Sequence, residues 1–376
     1  MILSDRHKRF RQELRDFSMK VVAPGARSCD IEGDFVSSNV EALAARGYLG
    51  IPWPKDIGGM GLDYMSYAIG VEEVSRVCAS TGLTMAAHTS LGTYPIYKFG
   101  TQEQKEKYIP RLARGSFLGA FGLTEPNAGS DAAGIESTAR KTDKGYVING
   151  SKRFITSGSY AGTVIVAASM DRKLGRKGIT CFIAETSSPG FKVASHERKL
   201  GLRGSDTAEL AFEDMLLPFD SLLGREYDGY RIFMETLDGG RISIGAFCLG
   251  MAQCALDTML DWFRDRRMSQ FEQKALADVA TQVEAARLLV YNAAATKDAS
   301  ARADKECAFA KLFASEVAVW AAGTAIDAIG PLAVTDDIPV ARVYRDAKLG
   351  EIGEGTSEVM RMIIAKEVLK EAKETC

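Results

Sequence analysis

Histidine is scarce in this 376-residue chain, occurring only at positions 7, 88 and 196. No HExxH pair exists and no histidine stands near a cysteine, which leaves zinc-dependent hydrolysis and Ser/His/Asp chemistry without their parts. The seven cysteines form no CxxC pair and keep no regular spacing. That pattern suits a reducing compartment and idle thiols, not a disulfide frame. Charge of one sign is lacking as well: 47 Lys and Arg stand against 49 Asp and Glu, a formal net charge of -2. Without a basic stripe, nucleic acid is not an expected partner. No GxGxxG follows a strand pattern and no GxxxxGK[ST] occurs, so the common nicotinamide and nucleoside-triphosphate cradles are missing. No apolar run approaches membrane-spanning length. The opening MILSDRHKRFRQELRDF mixes its bases with Asp5, Glu13 and Asp16, the mark of an amphipathic first helix and not of an acid-poor transit peptide. A soluble cytoplasmic enzyme that binds no membrane is the expectation.

What is present divides into three. Helical spacing and few β-branched residues fill positions 4 to about 115, including SYAIGVEEVSRVCAS and a long apolar helix around 80–98. From about 117 to 224 the runs shorten and fill with Val, Ile, Phe and Thr between Gly, Pro and Ser: GYVING, GTVIVAAS, GITCFIAE, TAELAFED. These predict strands. Helical periodicity then returns near 229–266, 272–298, 303–329 and 357–373. The expected fold class is mainly α with a central β domain: an N-terminal helical domain (1–116), a middle β domain (117–224) and a C-terminal helical bundle (225–376). GGMGLD at 58–63 is a turn.

Three stretches carry candidate chemistry. GEIGEGTSEVMR, residues 350–361, sets Glu354 between two glycines and between two helical patterns. Flanking glycines cost helix propensity and strip bulk. A solvated loop carboxylate and a carboxylate held close to a ligand both satisfy the pattern. FGLTEPNAGSD, 121–131, packs Thr124, Ser130 and backbone amides around Asn127, Pro126 and Gly129. Such a loop can bind a polar ring or a phosphate, or it can be an elaborate turn. KRFITSGS, 152–159, puts Phe154 and Thr156 two residues apart on one strand face, in an ordinary half-buried strand or a ligand wall.

Taken with KLGLRGSDTAEL (199–210), LDGGRISIGA (237–246), LADVATQVEAARLL (276–289) and YRDAKLGEIGEGTSE (344–358), in that order, the chain resembles the acyl-CoA dehydrogenase family over nearly its whole length. The resemblance implies an N-terminal helical domain, a β-barrel middle domain and a C-terminal four-helix bundle, with FAD between the last two. It implies α,β-dehydrogenation of an acyl-CoA to the 2,3-enoyl thioester, a hydride passing from the β-carbon to flavin N5. It assigns Glu354 as the catalytic base, which must be a carboxylate in a dry pocket with a raised pKa. By matching position it gives Phe121, Leu123, Thr124, Ser130, Phe154, Thr156, Thr356 and Glu358 to the cofactor. Ser130, Asp238, Arg241 and Gly355 fall on the substrate side. Some members carry the base on the LDGGR helix; Gly240 occupies that position here, which favours Glu354. No metal is implied. An electron-transferring flavoprotein is the implied acceptor and a homotetramer the implied assembly.

The chain departs from the family in two segments. WFRDRRMSQFEQKALADV keeps Arg266 but lacks the usual Phe-Gly and is several residues short. AIDAIGPLAVTDD has Asp327 and Pro331 where the family has a Gln and a Gly. In the family both reach the adenosine diphosphate end of a neighbouring subunit's FAD. Three readings stay open: the tail is held differently, a sister subunit completes a heterotetramer, or the flavin site is altered in a binding-only paralogue. The acyl group is not legible, since Ala86, Ala87, Gly245 and Ala246 admit straight, branched or cyclic chains alike.

Overall fold

The computed structural model describes residues 3–300 and 302–375. Seven helices precede the sheet: α1 (Asp5–Phe17), α2 (Ala26–Glu32), α3 (Ser37–Ala45), α4 (Tyr64–Ser75), α5 (Ala79–Ala87), α6 (Tyr94–Phe99) and α7 (Gln102–Ala113). Their starts follow from side chains that accept orphan amides. Ser4 accepts from His7, Asp63 from Ser66, and Thr101 with Gln104 forms a reciprocal capping box. The stretch expected as one helix around 80–98 is α5, a π-helical turn over His88–Thr93, and α6. A close approach accompanies the widened turn: a Cβ on Gly92 would lie 2.3 Å from the Gly119 carbonyl carbon, so the helix meets the first strand backbone to backbone. Such π segments cluster at functional sites.

The sheet holds β1 (Leu118–Gly122), β2 (Thr138–Lys141), β3 (Tyr146–Thr156), β4 (Ala161–Ser169), β5 (Ile179–Glu185), β6 (Phe191–His196) and β7 (Thr207–Leu217). The order is β1-β4-β2-β3-β7-β6, with β5 antiparallel on β4. β4 and β5 read as continuous apolar runs because both faces are covered. Val164, Val166 and Phe182 face the sheet's own core with Leu210 and Phe212, while Ile165, Ala167, Cys181 and Ile183 pack with Ile232 and Phe233.

The last segment is α8 (Gly229–Phe263), α9 (Gln270–Ala299), α10 (Asp304–Ile329), the short α11 (Val340–Ala347) and α12 (Ser357–Thr375). Small residues let the helices close on one another. A Cβ on Gly245 would meet Val290 of α9 and Ala310 of α10, and one on Gly250 would lie 2.4 Å from the Glu72 carbonyl of α4. One expectation is corrected here. α8 and α10 each contain an 18-residue window of mean hydropathy 1.4, apolar and long enough to cross a membrane. In the fold, 89% of the α8 window and 44% of the α10 window are buried, and both helices pack in the bundle; α8, covered on nearly all sides, is apolar all round.

Candidate active site

Glu354 lies in the link between α11 and α12, at φ +53°, followed by Gly355 at φ +104°. Left-handed backbone is uncommon for a residue with a Cβ and marks a position held by its surroundings. Part of the hold comes from α10. The fully buried Lys311 donates from Nζ to the Gly355 carbonyl. Glu354 as a whole is half-buried, but its Oε2 is buried with no hydrogen-bond partner. It rests on α8: a Cβ added to Gly240 would lie 2.1 Å from that Oε2. Glycine at 240 is therefore required by the carboxylate's position. Burial pushes the Glu354 pKa up to about 7, against the opposing pull of Lys311 and Arg241.

Arg241, almost fully buried, pairs through Nη1 with Asp238 one turn earlier, and its Nε is buried without a partner. Burial holds the Asp238 carboxyl above the usual range, with Arg241 opposing it. A buried carboxylate oxygen and a buried guanidinium nitrogen, both unpaired, thus share one neighbourhood. Buried polar atoms are seldom left so unless a ligand meets them. The Glu354 amide also donates to no acceptor among the described residues.

A second group sits on the sheet. Beyond β1, the amides of Leu123 and Thr124 make no hydrogen bond, while their carbonyls are taken by Lys152 Nζ (3.1 Å) and the Arg153 amide (2.9 Å). Lys152, fully buried, also pairs with Glu125 at 2.6 Å, and Glu125 accepts the amides of Glu136 and Ser137. Sequence reasoning missed this pair, because two ordinary charged residues 27 positions apart give no signal. Phe121 packs on Phe233 of α8, ring centroids 4.6 Å apart. Ser130 is exposed.

Phe154 and Thr156 lie on the outward side of β3 with the buried Ile155 between them, but the strand is not regular there. The β3–β7 register shifts between Lys152 and Ile155, with Phe154 at φ +60° and Ser157 at φ +59°. The bulge turns Phe154 outward, 56% exposed, with the Arg153 guanidinium 5.0 Å from its ring centroid. Thr156 stays half-buried, and Ser157 Oγ is buried without a partner.

After Glu354, Thr356 accepts the Val359 amide at 3.3 Å. Ser357 Oγ is a buried orphan. Glu358 is exposed, its carboxyl held below the usual range by the amide and hydroxyl of the helix start. The structure thus gathers Asp238, Arg241, Glu354, Gly355 and Thr356 on the bundle and Leu123, Thr124, Phe154 and Thr156 on the sheet. No hydrogen bond joins the two groups among the described residues. Asp327 is exposed in the last turn of α10, Pro331 opens the exposed turn after it, and Arg266 stacks on Trp262 at 3.7 Å. Among the described residues no group of three or more His, Cys, Asp or Glu is arranged to hold a metal ion.

A narrow cavity of about 10 Å³, room for a single water-sized molecule, lies between α4, the π turn, α6 and Gly239 of α8, one residue from the Gly240 that meets the carboxylate. Sequence reasoning missed its aromatic walls, Trp53, Tyr64, Tyr67 and Tyr94, which come from three separate segments.

Comparison with known proteins places this geometry. Three family descriptions match in succession: acyl-CoA dehydrogenase, N-terminal domain, over residues 4–116; middle domain, over 120–215; and C-terminal domain, over 227–369. The chain is 46% identical to the probable acyl-CoA dehydrogenase YngJ of Bacillus subtilis (strain 168), across 98% of this chain and 99% of the relative. Butyryl-CoA dehydrogenase from Megasphaera elsdenii superposes with a TM-score of 0.95 at 40% identity, covering 98% of this chain and 99% of that one. A chain in the structure described for the electron transferring flavoprotein of Acidaminococcus fermentans and its flavin-based electron bifurcation superposes at 0.96 with 41% identity, covering 98% and 99%.

Proposed function

The chain belongs to the acyl-CoA dehydrogenase family, and on that premise we propose that it oxidises a short acyl-CoA thioester to the 2,3-enoyl-CoA with FAD, Glu354 removing the α-proton. The observation that carries the reading is the Glu354 carboxylate, buried and unpaired against Gly240 with its pKa raised to about 7. A weakly acidic α-hydrogen demands a base that is ionised at working pH yet unsatisfied until substrate arrives. The left-handed loop and Lys311 hold that base, and the unpaired Glu354 amide is available to the thioester oxygen as enolate charge develops. Arg241 and Asp238 receive the thioester side of the substrate.

The residues present fit FAD. Amides without acceptors at Leu123 and Thr124 suit the polar edge of a ring, the exposed Phe154 offers a face, and buried unpaired hydroxyls wait at Ser157 and Ser357. Phe121, Leu123, Thr124, Ser130, Phe154, Thr156, Thr356 and Glu358 form its proposed cradle. Bound FAD supplies the acceptor for the hydride. An electron-transferring flavoprotein is the proposed next acceptor, supported by the Acidaminococcus neighbour. The short acyl chain is supported by the butyryl-CoA dehydrogenase likeness.

The test is spectroscopic. The purified protein is expected to be yellow and to bleach anaerobically on addition of butyryl-CoA. Glu354→Gln is expected to stay yellow, bind butyryl-CoA and not bleach. A variant that bleaches normally would move the base elsewhere, with Asp238 next. A chain that stays colourless with added FAD would defeat the proposal for the chain alone.

A further inference from the structure

Resting on the proposed flavin site, the buried Lys152–Glu125 pair takes a role beyond the fold. We propose that Lys152 is a positioning residue for the flavin: it holds the Leu123–Thr124 peptide from behind, so that the Thr124 N–H meets the cofactor as a fixed, charge-strengthened donor. Lys152 lies on β3 and is 0% exposed. Its stem passes Gly122 at the end of β1, where an added Cβ would lie 3.3 Å from Lys152 Cγ. The ammonium donates to the Leu123 carbonyl at 3.1 Å and to Glu125 Oε1 at 2.6 Å. Among the described residues it is the only cation paired with Glu125, which also accepts the amides of Glu136 and Ser137.

Stability alone is a poor reason for such a pair, since buried ion pairs add little over apolar groups of the same size. The carbonyl that the ammonium takes is the informative detail. No peptide bond among the described residues is cis. In a trans peptide the N–H points opposite to the carbonyl, so the Thr124 N–H is directed away from Lys152. That N–H has no acceptor among the described residues. A cation on the oxygen polarises the peptide and strengthens its donor, by about 10–30% per linked bond. The Arg153 amide takes the next carbonyl, that of Thr124, at 2.9 Å. The carbonyls on either side of Thr124 are thus tied to consecutive residues of β3, and those two residues open the bulge that turns Phe154 outward. Lys152 therefore joins both sheet segments of the proposed cradle, the 121–125 loop and the Phe154–Thr156 wall. Burial lowers its pKa to about 8, with Glu125 opposing the fall and keeping the ammonium charged at neutral pH. A charge-strengthened donor favours the more negative acceptor, so it should hold reduced flavin better than oxidised.

The test uses the full chain, stripped of FAD and reloaded. Lys152→Met alone would strand Glu125 in the core. The informative variant therefore combines Lys152→Met with Glu125→Gln, removing both charges and keeping a carbonyl for the Glu136 and Ser137 amides. Its FAD-free form is expected to melt close to the FAD-free wild type. Its Kd for FAD, read from quenching of flavin fluorescence, should rise by about tenfold. The midpoint potential of the bound flavin, titrated with dithionite against a reference dye, should fall. The fall is about 30 mV for each further tenfold by which the reduced form is weakened. In the wild type, FAD should protect the Thr124 amide from hydrogen exchange. A folded double variant with an unmoved potential overturns the inference, because a merely structural loss weakens both redox forms alike. A double variant that no longer folds without FAD also overturns it, as the pair then serves the fold itself. So does a Thr124 amide that FAD leaves unprotected. None of these readouts needs turnover. A chain that binds FAD but never bleaches with butyryl-CoA fails the proposed dehydrogenation, while Kd and potential still decide this inference. A wild type that takes up no FAD defeats both.

Discussion

At the scale of single residues, the chemistry reduces to one carboxylate denied its usual partners. Glu354 carries a folded-state pKa of about 7 against an ordinary 4.5, chiefly from burial. The sign follows from linkage. Between those two pH values the folded chain holds the proton that the unfolded chain has lost, so stability falls as pH rises and stays low above 7. A shift of that size corresponds to on the order of 3 kcal/mol. Glu354→Gln is therefore expected to raise stability at pH 8 by up to about that amount, and to leave it unchanged below pH 4.5. Denaturant titrations of both proteins at the two pH values, in the same flavin state, check this; equal stability at pH 8 would mean the carboxylate is solvated. The same substitution should lower kcat/KM by roughly 10²–10⁴-fold, the span of general-base contributions. The wild-type profile of kcat/KM should rise with pH through an acid limb near 7, as the base ionises.

Between helices, the carboxylate's position is set by two contacts, and each can be broken singly. Lys311 on α10 tethers the Gly355 carbonyl and also lowers the Glu354 pKa by its charge. Lys311→Met should free the loop and move the acid limb upward while kcat/KM drops; an unmoved limb with lower activity would reduce Lys311 to a packing role. Gly240→Ala should cost activity more than stability, because its Cβ would collide with a movable carboxylate and not with backbone. Thermal denaturation beside kinetics separates the two. Much at this scale was legible in the sequence. The long bundle helices, the β runs of the sheet and the Gly-flanked Glu354 were readable because periodicity and capping are local. The bulge at Phe154 was not, since RFITS has the composition of a regular strand and only pairing with β7 exposes the register shift. The short α11 lacks the length that makes periodicity count. The Lys152–Glu125 pair and the aromatic cavity join distant segments through chain topology, which no local pattern encodes.

Across the whole molecule, the N-terminal helices must stay docked on the bundle, because α4 carries cavity walls and α8 carries the other side of the site. A buried ionic knot performs that docking. Glu72 on α4, 0% exposed, accepts from Arg11 of α1 at 3.1 Å, from Arg287 of α9 at 3.2 Å, and from the Tyr291 hydroxyl at 2.5 Å. Its neighbour Glu73 takes Arg11 and Arg15 at 2.7 and 2.9 Å. Three helices therefore share one desolvated carboxylate. Burying such charges brings little net stability, but removing one partner strands the others, a loss of about 3–5 kcal/mol. Glu72→Leu should approach that loss, since Arg287 is 12% exposed and keeps only the exposed Glu284 as an ionic partner. The knot makes no hydrogen bond to Glu354, so the acid limb of the rate profile should stay near 7 in whatever fraction remains folded. Urea titration and the pH profile of the same variant decide the matter together. A stable Glu72→Leu protein would show that apolar packing between α4 and α8 holds the halves without the knot, whereas a displaced acid limb would show that docking reaches the base itself.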